Sequence, residues 1–400
     1  MKFFKTIFTL FFVTILSSCN HAQNEHTNAQ HLILFQDENG NYSLKDQAGN
    51  VVVTENKALG EVSINEFHEG LAVLKMNGKV GFIDSTGKLV IPLKFKAAAS
   101  FSDGLAMFRI DGKRGYIDKS GNVVIKPEYD FTAGFSENLA RVAIAEKWGF
   151  IDKTGKIVVK LDFDFANDFS DGLALVQMKE KFGFIDKTGK VVIPLGKYED
   201  LESFSDGMAV FKINDKIGFI DKRGTVIIQP KYDFALCFTE GYSSVELNGR
   251  QGLIDKTGAE IIPLKYQSVT NFYNGKATVI LEDKWGIIDP TGKEIIPLKY
   301  EQIESISDGI VPVKLNGKWG VVNDKGAEIV PFKYDYIQSF SEGIAAAQLN
   351  GKYGFIDTTG KVLIPFKYDW CHDFINGKAK VELNGRKYSI DLNGKKIADF

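Results

Sequence analysis

The sequence carries little net charge, little proline and few cysteines. Its formal charge of −2 becomes about −4 once Lys2 and Lys5 leave with a cleaved leader, with 47 basic against 51 acidic residues remaining. The signs are interspersed and no basic stripe forms, so no field exists to draw in nucleic acid. Ten prolines against 39 glycines favour many turns in a β protein over disorder. Besides Cys19 there are only Cys237 and Cys371, which fall 134 residues apart in different slots of the repeat described below. A disulfide needs Cα atoms within about 7 Å, so two free, mostly buried thiols are expected. No HExxH, GxSxG, P-loop, GxGxxG or Cys/His metal spacing occurs. The expectation is no enzyme: no catalytic, cofactor or metal residue is assigned.

Apolar residues make up 44% of the chain, with 31 Phe and 14 Tyr, enough for a substantial core. The N-terminus reads as an export signal. Lys2 and Lys5 precede an apolar stretch, Thr6 to Leu16, too short to span a bilayer. Leu16-Ser17-Ser18-Cys19 looks like the lipobox of bacterial lipoproteins, which implies a signal peptide over 1–18 and diacylglycerol on Cys19. Several fatty chains would anchor the protein where one would not. Asn20 is not the Asp that retains some lipoproteins at the inner membrane, so the cell envelope, at the outer membrane, is the expected location. Residues 19–31 read as the lipidated end and a polar tether. His21, His26 and His31 lie five apart there, a spacing that no single strand or helix places on one face.

Self-similarity then organises the rest. The glycine of a G-x-[IV]-[DN] string falls at Gly81, Gly115, Gly149, Gly183, Gly218, Gly252, Gly286, Gly320 and Gly354, at steps of 34 with one of 35. The extra residue is placed at Gly196, which marks that stretch as a connection. Worn copies at the two ends, near 32–53 and 378–400, act as caps and bring the count to about eleven units over 32–400. Tyr388 fills the glycine slot of the last.

Within a unit the slots of Ala174, Val176 and Met178 stay apolar across copies, and those of Leu173, Leu175 and Gln177 vary. That period of two marks a strand with one buried face. Asn-Gly turns follow, at Asn77-Gly78, Asn248-Gly249, Asn316-Gly317 and Asn350-Gly351. A second strand such as Lys147 to Asp152 leads to an Asp-x-x-Gly-Lys turn. The third strand, Val191-Val192-Ile193, is expected to end at Pro194, which cannot donate to a ladder.

The unit resembles the WG-repeat, or KWG, family through Trp148-Gly149, Trp285-Gly286 and Trp319-Gly320, with Phe182, Tyr353, Ile217 or Arg114 before the glycine elsewhere. The resemblance implies a β-rich repeat protein, frequent among bacterial lipoproteins, and no particular activity. The expected fold is all-β: tandem three-stranded β-meanders in an open, curved or superhelical array, with a closed propeller-like ring as the alternative.

Two features invite a site. Asp84, Asp118, Asp152, Asp186 and their equivalents would form a carboxylate ladder that could hold Ca²⁺. One Asp per turn, followed by Lys, falls short of the six to eight oxygens calcium takes, so capping of its own turn is expected. Trp370-Cys371-His372-Asp373 is the most singular string; adjacent strand residues point oppositely, so His372 is not expected to activate Cys371. The function expected is a non-catalytic binding or scaffolding surface for a protein, peptide or glycan, with Leu173, Leu175 and Gln177 among its variable outward slots. The alternatives are an envelope hydrolase assembled across repeats and a structural spacer.

Overall fold

The computed structural model describes residues 33–36, 42–45, 51–55 and 63–399, except 77, 308 and 376. Two compact bodies meet at Lys231 and Tyr232 in the chain. All regular structure among the described residues is β. One three-stranded sheet, Ile33–Gln36, Tyr42–Lys45 and Val51–Glu55, is followed by ten four-stranded sheets, which matches the eleven units that the period predicts.

The sheet of residues 131–163 shows the plan. A two-residue edge strand, Phe131–Thr132, pairs with Leu139–Ile144. That strand forms a hairpin with Lys147–Asp152, which pairs in turn with a return strand, Ile157–Phe163. The unit therefore has four strands where three were expected. The fourth arises because the connection after each return strand hydrogen-bonds briefly to the next hairpin before leaving it.

The turns follow the local chemistry. Asn248 and Gly249 have φ of 54° and 71°, and Asn350 and Gly351 have 52° and 77°, the left-handed pair that a type I′ hairpin requires. Ala145 and Glu146 hold the same shape without Asn or Gly, at 48° and 62°. In the Asp-x-x-Gly turn, the Gly155 N–H donates to Asp152 O at 2.9 Å.

The return strand departs from expectation. In most units it continues through its proline, as in Glu260–Tyr266, which contains Pro263. Only the unit with the Gly196 insertion stops at Ile193. The register explains this. Leu253 pairs with Ile262 and Gln251 with Tyr266, so three residues of the return strand bulge over Gly252. A bulged residue owes no hydrogen bond to the ladder, and proline is tolerated there.

That bulge also explains the glycine. A Cβ on Gly149 would lie 2.5 Å from the Val159 carbonyl oxygen and 2.7 Å from the Lys160 carbonyl carbon. Gly354 meets Ile364 O at 2.6 Å in the same way. The glycine of the Trp-Gly pair is thus a site where two backbones cross in contact, with no room for any side chain.

The first hairpin strand was expected to bury one face, and it buries two. Leu173, Ala174, Leu175 and Val176 are all buried. Ala174 and Val176 pack with Phe150 and Val159 of the preceding sheet, and Leu173 and Leu175 pack with Phe204 and Phe211 of the next. Leu173 and Leu175 are therefore core residues; only Gln177 of the three is partly open. The reason is stacking: an internal sheet has a neighbour on each side, so alternate residues serve two different cores. Aromatic pairs join the sheets, Phe150 to Phe169 at 4.6 Å, Phe184 to Phe204 at 4.7 Å and Phe355 to Phe374 at 4.7 Å between ring centroids. Such pairs contribute about 0.5–1.5 kcal/mol beyond burial, and they account for the abundance of Phe.

Polar links repeat along the stack. Ser136 Oγ donates to Phe169 O at 2.8 Å, and Ser170 Oγ to Phe204 O at 2.7 Å. The Glu137 carboxylate accepts from the Gly172 N–H at 3.1 Å and pairs with Lys187 Nζ at 3.0 Å. Asp171 likewise accepts from the Gly207 N–H at 2.7 Å. The Asp/Glu-Gly pairs, which read as turns, also tie each unit to the next.

The last sheet differs. Ala379 and Val381 pack on the preceding sheet, while Lys378 and Lys380 occupy the slots of Leu173 and Leu175. Polar residues on one side fit a capping unit.

Two substitutions separate the roles of glycine. Gly149→Ala should cost about 2–4 kcal/mol by overpacking against backbone. Gly172→Ala has a φ of 84° and nothing within 4 Å of a Cβ, so it should cost about 1 kcal/mol. Chemical denaturation of both variants checks the order; equal losses would contradict the crossing.

Candidate functional site

The expected residues fall in different places. Cys19, His21, His26 and His31 lie outside the described residues. The Asp ladder does not converge on a shared centre, because each carboxylate is used within its own turn. Asp152 Oδ1 accepts from the Thr154 N–H at 2.9 Å, the Thr154 hydroxyl at 2.6 Å and the Lys156 N–H at 3.1 Å. Asp186, Asp255 and Asp289 repeat this set, and Asp118 takes Asn122 in place of threonine. The threonine hydroxyl bond lowers the Asp152, Asp186 and Asp255 carboxyls below their ordinary range, outweighing what burial would raise.

Cys371 and Cys237 do not bridge each other, since Cys371 is a free, buried thiol. Burial, then Asp373, pushes the Cys371 thiol up to about 12, which suits a packing residue and not a nucleophile. Trp370 and His372, two apart on one face, meet edge-on at 4.1 Å.

The informative positions emerge when units are laid over one another. The residue after each edge strand is Ala99, Ala133, Asn167 and Glu202 in the first body, then Leu236, Thr270, Glu304, Gln338 and His372 in the second. The backbone there is regular: Asn167 N–H donates to Leu175 O and His372 N–H to Lys380 O, both at 2.8 Å. The side chains are not, and the next position varies as well, with Gly134, Asp168, Ser203, Asn271 and Asp373. This line of the repeat is held in place by the ladder yet spared from core packing.

Within each body these deviating residues meet across neighbouring units. In the first, Arg141 Nε stands 2.8 Å from Asp168 Oδ1, with side-chain exposures of 21% and 22%. Arg141 also donates to Ala166 O at 2.8 Å and lies 5.7 Å from the Phe131 ring and 5.5 Å from that of Trp148. Arg114, in the Trp slot of its own unit, covers the other reach of Phe131 at 4.7 Å. Asn167 Nδ2 donates to Ser203 Oγ at 3.0 Å. Burial raises the Asp168 carboxyl despite the opposing Arg141 charge, and burial followed by Asp200 raises Glu202.

In the second body, the Tyr336 hydroxyl donates to Glu304 Oε1 at 3.3 Å. Burial, then Glu304, pushes that phenol up to about 12. Burial also raises Asp373, with His372 opposing and Glu304 adding to the shift. Gln338 Oε1 and Asp373 Oδ1 are buried acceptors without a hydrogen-bond partner, a costly state that a donor from outside would relieve. The sequence held a signal for all of these: charged or amide residues in slots that are small or apolar in other copies. Leu173 and Leu175 drew attention instead, because variation alone does not separate a surface from a second core.

Removing one member of the Arg141–Asp168 pair should be worse than removing both. Arg141→Met leaves a largely buried carboxylate without its cation and should cost about 2 kcal/mol at this partial exposure. Adding Asp168→Leu should recover most of it, and a double-mutant cycle in urea measures the coupling.

Comparison with known proteins gives one clear relationship. No curated protein matches the chain. Among solved structures, similarity is seen to a eukaryotic initiation factor, at 11% identity and a TM-score of 0.42 over 80% of this chain and 93% of that one. BamB from Moraxella catarrhalis gives 10% and 0.32 over 68% and 96%, and Kluyveromyces lactis Hsv2p gives 11% and 0.32 over 55% and 89%. TM-scores this low decide nothing about shape or role. The WG containing repeat, by contrast, matches residues 81–113, 115–148, 148–182, 182–216, 217–250, 252–285, 285–319, 319–353 and 353–386. With the Trp-Gly glycine explained by its backbone crossing and nine consecutive copies matched, the chain belongs to the WG-containing repeat family.

Proposed function

We propose that this protein is a lipid-anchored, non-catalytic component of the cell envelope whose repeat array binds a protein, peptide or glycan partner. The observation that carries the reading is the contrast between positions. Cores, turns and inter-unit links repeat almost unchanged, whereas the residues after the edge strands diverge, stay partly open and meet their neighbours in adjacent units. Repeat arrays use such a scaffold to present an extended surface. Half-buried aromatic and charged groups, as at Arg114, Phe131, Trp148 and Tyr336, and the exposed Trp370 and His372 suit recognition.

The test immobilises residues 32–400 and challenges them with envelope extracts and a glycan panel. A specific partner should bind at micromolar concentration or tighter. Trp370→Ala or Glu202→Gln should weaken it at least about tenfold, while a surface change at Lys318 should not. The absence of any partner at micromolar concentration would overturn the proposal.

The anchor is tested separately. Labelling cells with a clickable fatty acid should mark the wild-type chain, and Cys19→Ser should abolish the label. Mass spectrometry under non-reducing conditions should find an acylated Cys19 at the mature N-terminus. An unlabelled chain, or a Cys19 sulfur held in a disulfide, would exclude lipidation.

A further inference from the structure

The last sheet carries a feature that the binding surface above does not use. Its strands are Trp370–Cys371, Lys378–Leu383, Arg386–Asp391 and Lys396–Asp399. Tyr388 replaces the glycine that other units need for their backbone crossing. Here the return strand pairs Tyr388 with Asp399 and Ser389 with Ala398, without a bulge between them. Where the crossing is absent, a cavity of about 650 Å³ opens between this sheet and the end of the preceding return strand.

Its lining is basic and aromatic. Lys367, Arg386 and Lys396 converge on it together with Tyr368, Tyr388 and Asn384, and none of its lining side chains among the described residues is a carboxylate. In several other units the slot of Arg386 holds a lysine paired with a carboxylate, as Lys147 with Asp164 and Lys318 with Asp335, and in one it holds Arg250. Arg386 stands within ion-pair distance of no carboxylate among the described residues. Tyr368 is fully buried, and its hydroxyl has no hydrogen bond of good geometry although Tyr388 lies beside it, ring centroids 6.4 Å apart. Lys367 and Lys396 rest over the Tyr368 and Tyr388 rings at 5.1 and 5.3 Å. The volume is in the range that encloses small organic ligands.

We propose that this cavity binds a sugar ring bearing a carboxylate, such as a uronic acid residue of an acidic polysaccharide. A planar guanidinium matches a carboxylate through two parallel N–H bonds. Flanking ammonium groups reinforce it, the Tyr388 ring offers an apolar wall for the sugar, and the Asn384 amide answers ring hydroxyls. The site is independent of the divergent residues near the edge strands.

Titration calorimetry on the mature chain at low salt tests this with three probes: trigalacturonate, neutral galactotriose and inorganic sulfate. Trigalacturonate should bind at submillimolar concentration, and galactotriose and sulfate at least about tenfold more weakly. Arg386→Ala, and separately Tyr388→Gly, should each weaken the uronate about tenfold or more. Lys318→Ala and Trp370→Ala should leave it unchanged, which separates this site from the surface proposed above. Circular dichroism verifies folding, and Lys367→Ala, on an exposed side chain, serves if Tyr388→Gly destabilises the sheet. Equal binding of neutral and acidic sugars, sulfate binding as tight as uronate, or an Arg386→Ala variant with undiminished affinity would each overturn the proposal.

Discussion

The structure depends on a contact between two stretches of backbone. In each standard unit the return strand bulges across the second hairpin strand, and its carbonyl sits where a Cβ would otherwise be, as Val159 does over Gly149. Three consequences follow from that crossing. The bulge accommodates a proline without loss of a ladder bond. It ends the return strand at the aromatic residue that begins the connection, as at Phe163 and Tyr266. The edge strand then starts only two residues later, at Phe165 and Ser268. A side chain at the crossing would force the strands apart and lose all three, which is why glycine recurs through nine copies.

Stacking turns this local unit into a stable body. A four-stranded sheet with one apolar face could not supply enough burial alone, and the internal sheets have two. Phe150 faces one neighbour through Phe169, while Leu173 and Leu175 serve the next interface. Serine hydroxyls and turn carboxylates then satisfy backbone groups of the adjoining unit, so register between sheets is fixed by hydrogen bonds as well as by packing. Freed from both duties, the positions after the edge strand can vary, and Arg141, Asp168, Glu202, Glu304 and Asp373 occur there or beside them.

Much of this was legible in the chain. The 34-residue step, the Asn-Gly and Asp-x-x-Gly turns and the hairpin strands are local matters, decided by which residues tolerate positive φ and by alternation of apolar side chains. The fourth strand was not legible, because two residues are too few to show a period. Nor was the burial of Leu173 and Leu175, since exposure depends on the sheet lying opposite. The candidate residues were visible only as departures from the repeat. Their pairing, as in Arg141 with Asp168 or Tyr336 with Glu304, depends on the offset between neighbouring sheets.

By itself the sequence determined the period, the number of units, the all-β class and the turn chemistry, because each is written within a span of a few residues or repeated outright. Only the tertiary structure decided why the Trp-Gly glycine is required, which faces are core, and which off-pattern side chains come together. Those answers depend on atoms brought close by the bulge and by the stacking of one unit on the next. No single copy of the repeat contains both partners of such a contact.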